Sequence, residues 1–409
     1  MVPPVPEHAT LPNATIPMRP LRIAYLVHDL SDPAIARRVR QLAAAGAALS
    51  VMGFQRGPDG FAPPPGVTVH CLGTTQDGRL VRRALSVLRV LLAGGRDAAG
   101  PGLTAASGAD VIIARQLEML LIACRLRSRL STAALAYECL DIHSLMTARS
   151  PSGWLLRRLE RWLLRRCALL AVSSLGFIRS YFTPVHGRLP VTLLLENKVV
   201  RAELPDATLV AIEARRRRPA CPGPPWRIGW FGVIRCRRSL DILAGLVRRS
   251  QGRVEVVIRG RVAAAIPGFD AIVAATPGLT FHGPYHRPTE LAAIHAGIHF
   301  AWAVDYYEAA ANSEWLLPNR IYEASLCGAV PIARAATETA AWLMQRSAGV
   351  VLADPMADSL LALFDTLDAD RCQDLRNAVL RIPLDDLLSG ADDAAHLVQA
   401  LRVASGASA

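Results

Sequence analysis

Short apolar runs alternate along this chain with longer amphipathic ones, and that alternation predicts the fold. Leu21 to Val27 reads as a buried strand. A polar turn from His28 to Asp32 follows, and Pro33 sits where the first turn of a helix tolerates it, with the helix running through Ala45. Gly46 stops that helix, and Ala47 to Phe54 makes a second strand. Strand, helix and strand at this spacing form a βαβ unit of a parallel sheet. The pattern repeats with strands at Asp110–Ala114, Ala133–Tyr137, Leu169–Ser173 and Val191–Leu195, and with helices over 116–130 and about 153–167.

A second series opens at Trp226. Strands are predicted at Arg227–Phe231, Val254–Ile258, Leu279–His282, Ile298–Ala303, Val330–Ala333 and Gly349–Leu352, with a helix from Leu240 and helices near 358–368 and 391–403. Between the two series, 201–225 breaks the alternation with the arginine run 215–218 and five prolines, the composition of an interdomain crossing. The expected organisation is a disordered proline-rich tail at 1–20, a first domain at 21–200, a linker at 201–225, a second domain at 226–385, and a closing helix and tail at 386–409. Each domain is a doubly wound α/β unit with a Rossmann-like parallel sheet. Such sheets bind ligands outside the carboxyl ends of their strands, which makes the cleft between the domains the expected site.

Composition narrows the function classes. With 52% hydrophobic residues in 409, the chain can bury sizeable cores. It carries 46 basic and 34 acidic residues, a net charge of +12, and only one of the basic residues is a lysine, Lys198. That balance permits an anionic partner without identifying one. No stacking aromatics are interleaved with the arginines, so nucleic acid is not expected. The eight cysteines lack C-x-x-C or metal-finger spacing and read as free thiols of a reducing compartment. No apolar run reaches bilayer length and no signal peptide is legible, so a cytoplasmic location is expected. Walker A, G-x-S-x-G, H-E-x-x-H and G-x-G-x-x-G are all absent.

Two stretches hold candidate chemistry. In the first, Phe300 to Pro331, an apolar strand ends at Asp305 and a polar loop carries Asn312, Ser313 and Glu314. A helix then begins at Pro318, with Asn319 and Arg320 in its first turn, where free N–H groups favour an anion. Glu323 lies on the same face at i+4 and i+3, suited to a ribose; the alternative is a helix cap beside an exposed Arg320–Glu323 pair. In the second, Gly229 to Leu240, Gly232 precedes a loop crowded by Arg235, Arg237 and Arg238. It is either a diphosphate clamp or a solvated basic loop.

Together these stretches resemble the GT-B glycosyltransferases of the large family-4 type. Such enzymes carry a glycine and then Arg/Lys loop at the start of their second domain, and a helix of pattern K/R-x-x-E-A-x-A-x-G-x-P. The chain has Arg320-Ile-Tyr-Glu323-Ala-Ser-Leu-Cys-Gly328-Ala-Val-Pro331, with Arg235 and Arg238 about 85 residues upstream of it. The resemblance covers about 21–400. It implies a GT-B architecture, two Rossmann-like domains facing a cleft, and transfer of a sugar, with retention, from a UDP- or GDP-sugar. Gly232, Arg235, Arg238, Asn319 and Arg320 are the implied phosphate ligands and Glu323 the ribose ligand. No metal or other cofactor is implied, since arginines and a helix dipole can carry the charge. One departure stands out: the family's first glutamate falls on Trp315, with Glu314 one residue off.

On the other side of the cleft, His28 to Asp32 ends the first strand, and Asp29 and Asp32 are candidate acceptor contacts. Asp141 and His143, in Y-E-C-L-D-I-H, are candidate catalytic groups with Glu314; His143 is equally readable as a structural histidine. Asp305, Asn312, Ser313 and Asn197 are expected on the acceptor or donor-sugar side. The implied acceptor is a glycan or a polyprenyl-linked glycan in exopolysaccharide or cell-surface polysaccharide assembly. Two basic segments, 79–96 and 153–167, are either packed helices with solvated arginines or a face for an anionic inner-membrane surface. In 153–167, Leu155, Leu156, Leu159, Trp162 and Leu163 share the expected apolar face. The rival readings are a nucleotide-sugar epimerase and a binding protein that keeps the fold without turnover.

Overall fold

In the computed structural model, which describes residues 19–57, 62–75, 80–92, 106–130, 132–264 and 266–406, the two series become two parallel sheets. The first contains β1 (Arg22–Val27), β2 (Ala48–Gln55), β3 (Thr68–Thr74), β4 (Val111–Arg115), β5 (Ala134–Cys139), β6 (Leu169–Val172) and β7 (Val191–Leu194) in the order β3-β2-β1-β4-β5-β6-β7. A short strand β8 (Val199–Val200) follows. The second sheet contains β9 (Trp226–Ile234), β10 (Val254–Val262), β11 (Leu279–Phe281), β12 (Phe300–Trp302), β13 (Val330–Arg334) and β14 (Val350–Leu352) in the order β11-β10-β9-β12-β13-β14. Strand order reverses between β1 and β4 and again between β9 and β12, which are the switch points where doubly wound sheets open a crevice.

Central strands of both sheets are buried on both faces; all five residues of β4 are buried. A parallel sheet covered by helices on either side therefore reads as continuous apolar runs, which is why these strands are legible in the sequence. The edge strand β3 was not expected. It is largely solvent-facing and mixes Thr68, His70 and Cys71 with its apolar residues, so it carries no such run. Strand β9 also runs on past Gly232 to Ile234, because Gly232 pairs with Gly260 of β10 and both take positive φ, +114° and +139°.

A Cβ on Gly260 would stand 1.7 Å from the Gly232 carbonyl oxygen, whereas one on Gly232 meets nothing within 4 Å. Gly260→Ala is thus expected to cost about 3 kcal/mol or more and Gly232→Ala less, about 1–2 kcal/mol of backbone strain alone. Denaturant unfolding of the two variants checks the ranking.

Several expectations change. Residues 1–18 of the expected tail lie outside the described residues, and Arg19 is anchored by two 2.9 Å bonds to Asp110. The expected linker, 201–225, holds a helix, Asp206–Arg217, whose Ile212 packs in the core of the second half. Its arginines are not simply solvated. Arg216 donates to the carbonyls of Ser325, Leu326 and Leu380 at 3.0–3.2 Å, closing the ends of two neighbouring helices, Asn319–Leu326 and Ala369–Leu380. The chain instead crosses through β8, which pairs with β15 (Leu388–Ser389). It returns in the helix Ala391–Ser405, whose Leu397, Val398 and Leu401 complete the core of the first half.

The helix Pro151–Leu164 is present but turned from its expected orientation. Leu163 is buried, and Leu156 and Leu159 pack against the core of the first half, but Leu155 and Trp162 face solvent at 62% and 48% exposure. The buried stripe runs through Gly153, Glu160, Leu163 and Leu164. Glu160 is held inside by Tyr137, Tyr181 and His186 at 3.0, 2.6 and 2.7 Å. Of the segment 79–96, the helix Leu80–Leu92 is described, while Arg79 and Arg96 lie outside the described residues. Among the described residues, no helix is long and apolar enough to cross a membrane.

Candidate active site in the cleft

The carboxyl end of β9 delivers Arg235 to the cleft. Cys236 caps the helix Arg237–Arg249 by accepting from the Ser239 amide at 3.4 Å, which puts Arg237 and Arg238 in its first turn. Arg237 turns away, bonding to Asp241 at 2.9 Å and the Pro267 carbonyl at 3.2 Å. The other two stand over the tyrosines that follow β12. Arg235 lies 4.6 Å from the Tyr307 ring and 3.6 Å from Asp305, and Arg238 lies 4.0 Å from the Tyr306 ring and 3.6 Å from Asp354. Both cations therefore have loose carboxylate partners at distances a bidentate phosphate would improve on. Asp305 is itself fixed by accepting from the Tyr307 amide at 2.8 Å.

The helix Asn319–Leu326 starts after Pro318, which has no side-chain group to cap it. Asn319 occupies its first position. Arg320 reaches back to the Trp302 carbonyl at 3.1 Å, and burial lowers its pKa from the ordinary arginine value while the Asp305 charge opposes that shift. Glu323 is only 3% exposed, so the exposed i,i+3 pair does not form. Its carboxylate accepts instead from Arg287 at 3.0 Å, a partner the sequence did not reveal. This buried carboxylate, held by Arg287 and feeling the charges of Arg320 and Arg37, is placed to accept hydroxyl hydrogen bonds.

The loop between β12 and this helix ties the two halves together. Asn312, 2% exposed, donates its amide to the Asp141 carboxylate and accepts from the Ile142 amide at 3.3 Å. Nearby, Ser174 bonds the Trp315 carbonyl and Asn197 bonds the Leu317 carbonyl. A Cβ on Gly176 would strike the Trp315 carbonyl at 2.4 Å, so the approach requires glycine. Trp315, standing where the resemblance led one to expect glutamate, packs against the core of the first half.

Asp141 is open to the cleft, yet both halves crowd its carboxylate. Loss of water raises its pKa above the usual carboxylate range, opposed by Arg235, Asn312 and His143. Glu308 joins it and was not singled out from sequence, since it sits in no motif. Its pKa is raised by desolvation and then by the Asp141 charge, with Arg235 and Asn312 opposing. His143 caps a short helix by accepting from the Leu145 amide at its Nδ1, 3.2 Å away, so in the neutral ring the proton resides on Nε2.

Other expected residues take supporting positions. Glu314 pairs with Arg334 at 2.8 Å and accepts from the Ala310 amide, which holds it in the loop. Ser313 accepts from the Glu308 amide at 2.8 Å. Asp29 accepts from the Ser31 and Arg56 amides, and Asp32 caps the helix Pro33–Ala44 through Ala34. These two carboxylates thus shape the turn after β1.

No family model matches the sequence. The succinoglycan biosynthesis protein ExoL of Rhizobium meliloti (strain 1021) is 42% identical over 363 residues, 88% of each chain. This chain belongs to the ExoL family. Solved structures with the same fold include sucrose-phosphate synthase from Thermosynechococcus elongatus, at TM-score 0.69 and 14% identity, covering 95% of this chain and all of that one. Anabaena HepE in complex with UDP and glucose gives 0.63 and 14% over 93% and 98% of the two chains. The α,α-trehalose 6-phosphate synthase of Burkholderia multivorans gives 0.65 and 11% over 95% and 98%. This chain and these solved neighbours share one architecture, GT-B, with two parallel-sheet halves about a cleft.

Proposed function

We propose that the protein transfers a hexosyl group from a UDP-sugar to a polyprenyl-linked glycan, as a glycosyltransferase of exopolysaccharide assembly. Family membership and fold support the reaction class. The carrying observation is the set Arg235, Arg238, Arg320 and Glu323 at the carboxyl end of the second sheet, with the Arg235 charge acting on Asp141 across the cleft. The UDP complexes of Anabaena HepE, and the Escherichia coli structure bound with UDP-2-fluoro glucose, favour uracil as the base.

In this reading Arg235 and Arg238 leave Asp305 and Asp354 for the diphosphate, and Glu323 takes the ribose hydroxyls. The bond from the anomeric carbon to the diphosphate oxygen breaks with its electron pair going to UDP. The acceptor hydroxyl oxygen bonds to that carbon from the same face, and its proton passes to the departing phosphate. Positive charge building at the anomeric carbon is offset by the Asp141 and Glu308 carboxylates. Three guanidinium groups supply the charge neutralisation, so the reaction proceeds without a metal, at the cytoplasmic face of the membrane.

A panel of UDP-, GDP- and dTDP-sugars, followed by thermal shift and by acceptor-dependent UDP release, tests this. Preference for UDP-sugars, turnover unchanged by EDTA, and an NMR-determined product anomer matching the donor are the expected results. Interconversion of the donor sugar without acceptor would establish an epimerase instead.

A further inference from the structure

An apolar cavity of about 640 Å³, not assigned above, lies in the first half. The helices Leu80–Leu92, Leu117–Leu130 and Pro151–Leu164 wall it with Val87, Leu88, Leu91, Leu121, Leu156 and Leu159. Asp141, His143 and Glu308 line the same cavity, so it is continuous with the place where the acceptor hydroxyl must stand. A sugar needs hydrogen-bonding walls; these suit a hydrocarbon.

Two of the same helices also carry apolar side chains out to solvent. Trp154, Leu155 and Trp162 are 55%, 62% and 48% exposed, and Leu85 and Leu88 are 48% and 47%. Arg158, Arg161, Arg165 and Arg166 surround the tryptophans and are exposed. Arg158 lies over the Trp154 ring at 4.9 Å and Arg166 over Trp162 at 3.5 Å. The helix's one carboxylate, Glu160, is buried and paired with His186, leaving no negative charge on the outward face. Exposed tryptophan and leucine among arginines complement the interface of an anionic bilayer.

We propose that the cavity is a slot for the hydrocarbon chain of the acceptor, drawn from an anionic bilayer on which the outward face of Pro151–Leu164 rests. The chain enters between the helices Leu80–Leu92 and Pro151–Leu164, and its glycan end is left at Asp141 and His143. This rests on the glycosyltransferase reading for the identity of the group at the polar end, and adds the site that holds the lipid.

Farnesyl phosphate serves as the soluble probe and inorganic phosphate as its control, with UDP binding measured in parallel on the full chain. Farnesyl phosphate is expected to raise the melting temperature where inorganic phosphate does not. Leu88→Arg and Leu88→Trp, both at a half-exposed position of the wall, should abolish that rise and leave UDP affinity intact. The wild-type chain should also co-sediment with phosphatidylcholine vesicles containing phosphatidylglycerol, and a Trp154→Ser, Leu155→Ser double variant should lose at least tenfold in partitioning. Equal responses to the two phosphates, a rise that survives both Leu88 variants, or unchanged partitioning of the double variant would overturn the slot. Intact UDP binding in those cases would leave the donor-site reading standing, while its loss in the wild-type chain would remove that reading separately.

Discussion

Glu323→Gln and Arg238→Ala are each expected to weaken UDP binding about 10- to 100-fold, with different signatures. A hydrogen bond to a charged group contributes about 1.5–3 kcal/mol, and each 1.4 kcal/mol is a factor of ten in affinity. Glu323 offers a carboxylate already oriented by Arg287 and shielded from water, so glutamine would halve its acceptor capacity and leave the Arg287 charge short of its partner. Since it is assigned to the ribose, the loss should appear equally for uridine and UDP. Arg238 is assigned to the diphosphate alone, so its alanine variant should bind uridine like the wild type and UDP poorly. Its side chain is more than half exposed and its Asp354 contact is long, so melting temperature should hardly change. Calorimetry with the two ligands separates the roles. Wild-type UDP affinity in both variants would refute the donor site.

Much of this site was legible because its signals are local. An apolar strand running into Gly232 with arginines just beyond it, and a helix with Arg320 and Glu323 three apart, advertise themselves in a linear sequence. What sequence could not show was which groups meet across the cleft. Asn312 reaches Asp141 across a separation of 171 positions, and Arg287 reaches Glu323 from the loop after β11. No periodicity encodes such pairs. The reading of Pro151–Leu164 failed for a related reason. Its helical period was clear, but the apolar face was drawn through Leu155 and Trp162, whereas Glu160 takes a place on the buried side because two tyrosines and a histidine satisfy it. Leu155 and Trp162 are displaced outward in consequence. Likewise the arginine run at 215–218 looked like linker charge, whereas Arg216 serves as a carbonyl cap. With 45 of 46 basic residues arginine, sequence alone gave little means of separating structural guanidinium groups from functional ones.

The second large effect is expected at Asp141. Asp141→Asn should lower kcat by about 10²- to 10⁴-fold while leaving UDP affinity near wild type, because its proposed role is to offset charge at the anomeric carbon and not to hold the nucleotide. The amide keeps the shape and can still accept from Asn312, so the domain contact survives and the loss reports charge. Stability should move the opposite way. Crowding raises the Asp141 pKa in the folded state, so the folded protein holds that proton more tightly than the unfolded chain does. Its contribution to stability accordingly falls as pH rises from the ordinary carboxylate range through the raised folded value. At neutral pH the carboxylate therefore works against the fold, and asparagine should raise the melting temperature relative to wild type, with the gap closing in acid. Asn312→Ala gives the complementary result. The lost donor favoured the ionised carboxylate, so the acid limb of the kcat profile should shift to higher pH. Since Glu308 is coupled to Asp141, that limb belongs to the pair. An Asp141→Asn variant that turns over at the wild-type rate, or an acid limb that ignores Asn312, would show that the carboxylate only braces the cleft.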